Sequence, residues 1–595
     1  MFVIATAGHV DHGKSALVRA LTGTEPDRWD EERRRGLTID LGFAWMTLPS
    51  GAEVSFVDVP GHERFLGNML AGLGPIPIVC FVVAADEGWQ EQSSDHRDAV
   101  AALGIDTGII VVTRADLAPD RVPEVLAQTR SELSRTGLAG APAVSASAVS
   151  GQGLGDVRTA LDAVLKQVPT PQPDAEVRLW VDRAFSARGV GTVVTGTLPA
   201  GTLRRGDELT LIGQEKSAPV VIRGLQSHRR SVEQIGPVNR AAANLRGVAA
   251  DQVARGDALV TPGAWLLTSE IDVRRRSGLA ATDLGGELTV HLGTAAVRAH
   301  GRPFGGEHLR LHMARPLPLR IGDRMVLRGT GSRAVLAGAA VLDIDPPALT
   351  RRGAGRRHAA SLADMSSAGD ITREVTRRAA VKESTLRRMG LVVPAPLPAE
   401  LRRAGRWLVS VSAFDQWCRQ LQEAVRRHHA QNSLSAGLSE GAAADLLGLP
   451  TATLLAEISA EAGLVRADGV VRSPEPAAGL GSAEEAVAAV ERQLAADPFQ
   501  APAADELTEL GLGERELAAA QRQGRLLRLA GGVVVLPSAP AQAMRVLAGL
   551  EGPFTTSAAR QALGTTRRTA IPLLEHLDAK GWTRRVDSAH RVVAR

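Results

Sequence analysis

The stretch GHVDHGKS, residues 8–15, matches the phosphate-loop pattern Gly-x-x-x-x-Gly-Lys-Ser. It follows the apolar run FVIATA and precedes ALVRALT, so a predicted strand leads into the loop and a predicted helix leaves it, as the pattern requires. We therefore expect Gly8, Asp11 and Gly13 to bring backbone N–H groups to the phosphates of a nucleotide, and Lys14 to reach the β- and γ-phosphates. A glycine-rich turn formed by chance is the alternative.

Later residues predict the rest of a nucleotide site. Ser15 would ligate Mg²⁺, and Thr38, in the polar stretch RGLTID, is a candidate second ligand. Asp58 lies at the end of the predicted strand EVSFVDV, where it can hold the ion in its outer shell. Gly61 of VDVPGH can offer its N–H to the γ-phosphate. This ordered set favours a nucleotide switch over a chance turn.

His62 is the candidate catalytic residue. It follows Gly61 directly, and a histidine held there can orient the water that attacks the γ-phosphate. A structural surface histidine is the alternative. Val10 and Leu37 could form an apolar gate that keeps His62 back until a trigger arrives, although ordinary packing is the simpler explanation of two apolar residues.

The stretch TRAD predicts that the base is guanine. The carboxylate of Asp116 can accept hydrogen bonds from N1–H and the exocyclic amino group of guanine, and adenine offers no such pair of donors. Thr113 and Arg114 stand where the usual GTPase motif has Asn and Lys, so guanine affinity could be lower, while the stem of Arg114 can still lie along the base. Ser145 and Ala146, in the SAS that ends the last predicted strand, complete the predicted GTP site.

Composition limits the possible classes of protein. The net charge of the 595 residues is only +4, so a nucleic-acid surface must be local. Tyr is absent and Trp and Phe are few, so few aromatic side chains can stack on bases and arginine must carry more of the recognition. Two cysteines without a spacing pattern argue against a disulfide framework or a zinc site. The apolar run IPIVCFVVAA is too short for a membrane helix, which needs about 20 residues. We expect a soluble, cytoplasmic protein with no membrane partner.

The pattern of apolar runs, turns and helical stretches changes along the chain and predicts a multidomain fold. Apolar runs that alternate with helical stretches predict an α/β P-loop GTPase domain, and Val/Thr runs with Gly-Asp turns then predict two antiparallel β-barrels. A helical remainder with short hairpins predicts an α+β tail of tandem winged helices. The predicted bounds are 1–170, then 175–265 and 266–348 for the barrels, and 361–432 (a divergent copy), 433–476, 480–538 and 541–595 for the winged helices.

Paired glycines carry the repeat in the tail. In three copies one glycine precedes a helix of three to four turns and a second glycine follows it, before a β-like hairpin. The pairs are Gly448 and Gly463, Gly511 and Gly524, and Gly564 and Gly581.

The motifs GHVDHGKS, RGLTID, DVPGHERF and GTVVTGTL resemble those of the translational GTPases of the elongation-factor Tu type, over about residues 1–346. The stretches LTIDLGFAW and GHERFLGNMLAG, the TRAD motif and the winged-helix tail are more closely similar to the bacterial selenocysteine-specific elongation factors. This resemblance implies a GTPase that uses GTP and Mg²⁺ and hydrolyses GTP on decoding. It also implies delivery of selenocysteinyl-tRNA to the ribosome at UGA codons marked by an mRNA hairpin. We expect a monomer.

The resemblance also implies an aminoacyl pocket in the first barrel. Asp182 and Arg183 of VDRAF and Arg240 of PVNRAAANL match the positions that contact selenocysteine in that family. A selenol is ionised near neutral pH, and guanidinium groups would favour the anion over the neutral hydroxyl of serine. Salt bridges on the barrel surface are the alternative.

Basic residues concentrate at the end of the tail. Residues 551–595 contain eight Lys and Arg against four acids, so this segment alone has a charge of +4, equal to that of the whole chain. Basic side chains at a helix start and on a wing suit the backbone of an RNA hairpin, although a solvated face is the alternative. The predicted hairpin-binding residues are Arg567, Arg568, Arg584, Arg585 and Arg591.

Two other functions remain open from the sequence. A general elongation- or initiation-factor-like GTPase would share the first 346 residues but not the tail. A GTP-sensing, DNA-binding regulator would use winged helices but has little need of two barrels.

Overall fold

The computed structural model describes residues 2–26, 38–74, 76–169, 172–214, 217–331, 334–349, 354–432, 435–474 and 480–594. The proposed gate residue Leu37 lies outside them. The chain forms two compact units, Met1–Glu374 with Val381–Leu397 and Val375–Ala380 with Pro398–Arg595. Among the helices of the described residues, none combines the length and apolar character that crossing a bilayer demands.

The first domain is an α/β sheet with helices on both faces. The sheet order is β2-β3-β1-β4-β5-β6, with β2 antiparallel and the other neighbours parallel. Strand β4 is buried along its whole length, which explains its continuous apolar sequence. The elements are β1 (Phe2–Ala7), α1 (Lys14–Thr22), β2 (Gly42–Thr47), β3 (Glu53–Asp58), α2 (Leu66–Leu73), β4 (Ile78–Ala84), α3 (Glu91–Leu103), β5 (Thr107–Thr113), α4 (Val122–Leu133), β6 (Ala143–Ser145) and α5 (Leu154–Leu165).

The next domain is an antiparallel barrel. Its order is β10-β15-β7-β8-β14-β11-β12, and because β10 also pairs with β11, six strands close into a ring. The elements are β7 (Arg178–Ala187), β8 (Gly191–Leu198), β9 (Leu203–Arg204), β10 (Glu208–Ile212), β11 (Ser217–Ser227), β12 (Arg230–Val232), β13 (Gln234–Ile235), β14 (Asn239–Arg246) and β15 (Ala258–Val260).

A second closed barrel follows, in the order β16-β19-β18-β17-β20-β21. Inward and outward residues alternate along β18: Val297 and Ala299 are buried, while Arg298 and His300 are exposed. The elements are β16 (Leu266–Gly278), β17 (Gly286–Leu292), β18 (Ala295–Gly305), β19 (His308–Leu319), β20 (Arg324–Gly329) and β21 (Val335–Asp343). The predicted GTPase fold and the two barrels are confirmed.

The rest of the chain is mainly helical. Residues 361–432, predicted as a separate winged helix, are divided between the two compact units. The elements are α6 (Ala354–Ala363), α7 (Ile371–Arg378), β22 (Ala380–Lys382), α8 (Glu383–Arg388), β23 (Leu401–Ala404), β24 (Trp407–Ser410), α9 (Val411–Gln431), β25 (Leu438–Ser439), α10 (Glu440–Leu447), α11 (Leu454–Glu461), β26 (Val465–Ala467), β27 (Val470–Arg472), α12 (Glu484–Ala496), α13 (Ala504–Glu509), α14 (Glu514–Arg522), β28 (Leu527–Arg528), β29 (Val534–Val535), α15 (Ala539–Leu547), β30 (Phe554–Thr555), α16 (Thr556–Ala562), α17 (Arg567–Ala579), β31 (Thr583–Arg585) and β32 (His590–Val593).

Neighbouring modules of the tail share hydrophobic cores. Helix α9 packs in one core with α11, and Gln422 donates to the carbonyl of Ala462 at 2.9 Å. The predicted division between residues 432 and 433 therefore separates a helix from the module on which it packs. In the same way, Phe499 and Val535 lie in one core with Leu573 of the last module.

Candidate functional site

The phosphate loop is built around glycine. Gly8 has φ +133°, and a Cβ there would lie 2.1 Å from the carbonyl oxygen of Val82, so any larger residue would push the loop off β4. The ammonium group of Lys14 donates to the carbonyls of Gly8 at 3.0 Å and His9 at 2.7 Å. Asp11 and Gly13 line the same cavity, which has a volume of about 460 Å³. The loop residues predicted from the sequence thus share one site.

Three side-chain oxygens meet beside the loop. Ser15 Oγ lies 2.5 Å from Asp58 Oδ2 and 3.0 Å from Thr38 Oγ1, and Thr6 donates to the other oxygen of Asp58 at 2.7 Å. Burial raises the pKa of Asp58, while the hydrogen bond from Ser15 and the charge of Lys14 oppose that shift. Hard oxygen donors of this kind suit Mg²⁺. The predicted magnesium ligands therefore fit the ion in kind and in place.

Gly61 comes very close to the loop. A Cβ on this residue would lie 2.5 Å from both Lys14 Nζ and the backbone nitrogen of Val10, so Gly61 lies against the phosphate loop, and it lines the same cavity. His62 follows it at the start of the short 3₁₀ turn Glu63–Phe65, and its Nδ1 accepts from the backbone N–H of Arg64 at 3.2 Å. In a neutral ring this bond leaves the proton on Nε2. His62 is half-buried and does not line the described cavity.

Residues of the TRAD motif line one end of the cavity. Thr113 is buried, and its hydroxyl donates to the carbonyl of His12 at 2.6 Å, so it braces the phosphate loop against β5. The guanidinium group of Arg114 bonds Asp86 at 2.8 Å and Glu87 at 2.7 Å, which leaves its carbon stem on the cavity wall. Asp116 lines the cavity with its side chain exposed.

The structure shifts the predicted contact of Ser145 and Ala146 by two positions along the chain. The backbone N–H of Ala146 donates to the carbonyl of Val112 at 2.9 Å, so it continues the sheet and is not free for a base. The cavity is lined instead by Ser147, Ala148 and Val149. Two exposed apolar side chains flank this end, Leu117 at 68% and Val149 at 91% exposure, and offer surface to a flat base.

Arg183 and Arg240 meet between the first domain and the first barrel. A cavity of about 180 Å³ contains both, with Phe43 of β2 on the facing wall. The guanidinium carbon of Arg240 lies 3.5 Å from the centre of the Phe43 ring, and that of Arg183 lies 5.1 Å from it. The sequence indicated the two arginines, but the aromatic partner was missed because β2 alone gives no sign of facing a barrel.

Asp182 fixes one of these arginines. Its carboxylate is buried and bonds Arg240 through both oxygens, one of them at 2.8 Å, and Thr195 at 2.6 Å. Burial alone would raise the pKa of Asp182, but the charge and hydrogen bonds of Arg240 outweigh it and lower the pKa. Arg183 pairs with Asp40 at 3.1 Å. Arg183 and Arg240 are therefore each held by one acid.

The last winged helix presents basic side chains at two places. Arg567 and Arg568 begin α17, and Arg584 and Arg585 lie on the strand that forms the wing; all four are exposed. Within the described residues no acid pairs with Arg567 or Arg584. Arg568 is tied to the carbonyl of Pro502 in the preceding module.

Arg591 is not on the surface, contrary to its predicted role. Its side chain is only 7% exposed, and it bonds Asp578 at 2.9 Å and Thr556 at 3.0 Å. These bonds join β32, the second strand of the wing, to α17 and α16. We therefore assign Arg591 to holding the wing in place and not to contacting RNA.

Four known protein domains match separate parts of this chain. The elongation factor Tu GTP binding domain matches residues 1–170, and elongation factor Tu domain 2 matches 191–260. The beta-barrel domain of selenocysteine-specific elongation factor matches 282–348, and the elongation factor SelB winged helix matches 545–592.

Similar proteins extend over different shares of the chain. The selenocysteine-specific elongation factor of Escherichia coli (strain K12) is 32% identical, over 99% of this chain and 98% of the relative. Elongation factor Tu 2 of Streptomyces avermitilis is 30% identical, over 56% of this chain and 95% of the relative. A crystal structure of a bacterial selenocysteine-specific elongation factor, EF-Sec, shares the fold over the full length of both chains, with a TM-score of 0.77 and 24% identity.

Proposed function

Because this chain belongs to the selenocysteine-specific elongation factors, which are translational GTPases, we propose that it carries selenocysteinyl-tRNA to the ribosome at UGA codons. It does so as a complex with GTP and Mg²⁺, with the last winged helix bound to an mRNA hairpin. Because it would act at the ribosome, we infer that it is cytoplasmic.

The GTP site supports the first part of this proposal. Lys14 and Gly61 lie close together and line the same cavity, where the γ-phosphate would lie beside them, and Asp116 lines the end that would take the base. Ser15, Thr38 and Asp58 would hold Mg²⁺, which supplies positive charge to the phosphate oxygens when bound. His62 would orient the attacking water.

The pocket of Arg183 and Arg240 is the observation that best supports binding of the selenocysteinyl group. Two guanidinium groups against one aromatic ring, in a cavity of about 180 Å³, suit a small anionic group. The two-pronged bond to Asp182 and the ring of Phe43 fix the plane of Arg240, so its remaining N–H groups keep a set direction. A selenolate can accept from them, whereas a serine hydroxyl is neutral and gains less.

Protection of the aminoacyl ester against hydrolysis tests this pocket. With GTP bound, Arg240→Met should weaken protection of selenocysteinyl-tRNA by about tenfold or more, because a charge-assisted hydrogen bond is lost. Protection of seryl-tRNA should change little. Arg246→Met, at the exposed end of the same strand, is the matched control. Unchanged discrimination between the two tRNAs in the Arg240 variant would show that the pocket is misplaced.

A further inference from the structure

Arg255 joins three separate segments of the first compact unit. It lies in the turn before β15, and each of its guanidinium nitrogens has a partner. Nε donates to the carbonyl of Asp182 at 2.9 Å, Nη1 to Asn68 Oδ1 at 2.7 Å, and Nη2 to Asp40 Oδ1 at 2.7 Å. Because all three nitrogens are used, the orientation of the planar group is fixed.

Two of these partners belong to the nucleotide side. Asp40 is two residues beyond Thr38, the proposed magnesium ligand, so the two Cα atoms are at most about 7.6 Å apart. Asn68 lies in α2, the helix that follows the γ-phosphate loop, and its amide donates to the carbonyl of Ile39 at 2.9 Å. Arg255 therefore contacts the segment of the proposed magnesium ligand Thr38 and the helix that follows the γ-phosphate loop.

The third partner belongs to the aminoacyl side. The carbonyl of Asp182 is on the residue whose carboxylate fixes Arg240. Asp40 also pairs with Arg183 at 3.1 Å through its second oxygen. One carboxylate thus binds both Arg255 and a cation of the pocket, and one arginine binds both that carboxylate and the backbone of the pocket strand.

The charges in this network are held firmly. The side chain of Asp40 is 21% exposed and that of Arg255 is 29% exposed, so solvent screens the pair only in part.

We propose that Arg255 is the positioning residue that couples the GTP site to the selenocysteine pocket; this inference rests on the function proposed above. A movement of Thr38 with its ion displaces Asp40. The displacement removes the carboxylate from Arg183 and releases Arg255 from its place on the Asp182 strand. The pocket is then assembled only while the segments around residues 38–40 and α2 stay where the γ-phosphate holds them. By linkage, a filled pocket must favour GTP over GDP by the same factor.

The test compares two ratios in the full-length protein. The first is the affinity for selenocysteinyl-tRNA with a non-hydrolysable GTP analogue divided by that with GDP, and the second is selenocysteinyl- over seryl-tRNA affinity with the analogue. Arg255→Met should lower the first ratio by about tenfold or more and leave the second within about twofold. Arg255→Lys, which cannot reach three partners, should lower the first ratio less. Arg205→Met removes an exposed ion pair with Glu233 in the same barrel and should change neither ratio.

Two results would overturn the coupling role. An unchanged first ratio would show that Arg255 transmits nothing, and a fall in the second ratio like that of Arg240→Met would make it part of the pocket. If Arg255→Met melts the protein, Asn68→Ala takes its place, with the same expected fall in the first ratio. Were the wild-type protein to show no preference for selenocysteine, the proposed pocket would fail, while the GTP-to-GDP ratio would still test the coupling.

Discussion

Thr113 shows how one atypical residue keeps a GTPase motif working. Its hydroxyl donates to the carbonyl of His12, and thereby links β5 to the phosphate loop. Thr113→Val keeps the shape but leaves that carbonyl without its partner in a buried place, at a cost of about 1–3 kcal/mol. We expect GTP affinity to fall by about tenfold, as measured by competition with a fluorescent nucleotide.

Thr107→Val is the control for this change, because Thr107 is at the other end of β5 and, within the described part of the chain, its hydroxyl bonds only Asp106, at 3.0 Å. Equal affinities of the two variants would show that the Thr113 bond does not support the loop.

His291 gives the second barrel a dependence on pH. Burial first, and then the charge of Arg328, lower its pKa from 6.5 to about 4. Between these values the unfolded chain binds a proton that the folded barrel does not, so stability is lost as the pH falls from about 6.5 towards 4. At pH 5 the loss relative to pH 7.5 is at most about 2 kcal/mol. Hydrogen exchange of β17 should therefore speed up at pH 5, after correction for intrinsic rates.

The variant His291→Gln should show a smaller pH effect than the wild type. The control is His300→Gln on the neighbouring strand, where the side chain is 59% exposed. If His291→Gln and the wild type respond to pH alike, another group must carry the effect.

The correction at Ser147 shows a limit of reading motifs residue by residue. The sequence reads Ser145-Ala146-Ser147-Ala148, so the same dipeptide occurs twice in succession. The sheet determines which of the two dipeptides lines the cavity. The N–H of Ala146 still pairs with β5, and the chain leaves the sheet only after this residue. No local pattern contains that information, because it depends on where a neighbouring strand ends.

At the scale of elements, the glycine pairs of the tail predicted the helices that lie between them. The six glycines that mark the repeats all have φ between +60° and +71°, and each pair encloses one helix: α11, α14 or α17. Module boundaries were less predictable. The sequence shows that α9 is amphipathic, but which neighbour covers its apolar face depends on tertiary packing.

The wing of the last module separates an exposed arginine from a buried one. Arg584→Met should weaken binding of a hairpin taken from just after an in-frame UGA codon, and should reduce the slope of log K against log salt by about 0.7–0.9. The melting temperature should not change, because Arg584 is exposed. Arg591→Met should lower the melting temperature of the module, since it removes a largely buried ion pair with Asp578 and the hydrogen bond to Thr556. Filter binding across salt concentrations and calorimetry give the two readouts.

The pair of variants also tests the assignment of Arg591. If Arg591→Met reduced the salt slope with no loss of stability, its charge would face the RNA and the structural role would be wrong.

At the scale of the whole molecule, neighbouring modules of the tail share hydrophobic cores, and this limits what a truncation experiment can show. Removing residues 541–595 would expose Phe499 and Val535, which pack in the same core as Leu573. It would also free the carbonyl of Pro502 from Arg568. Loss of activity in such a truncated chain would therefore report damage to the preceding module as much as loss of RNA binding. Surface substitutions avoid this ambiguity.

A variant with Arg567, Arg584 and Arg585 all changed to Met should separate the two proposed RNA-binding functions of the chain. GTP-dependent binding of selenocysteinyl-tRNA should stay within about twofold of the wild type, because the GTP site and the pocket of Arg183 and Arg240 lie in the other compact unit. Decoding of UGA in a reconstituted translation system should fall at least tenfold, since three phosphate contacts are removed together. Arg492→Met with Arg545→Met, two exposed arginines elsewhere in the tail, is the control and should decode normally. Normal decoding by the triple variant would mean that the message is held by another surface, and a parallel loss of tRNA binding would mean that the substitutions disturb more than the last module.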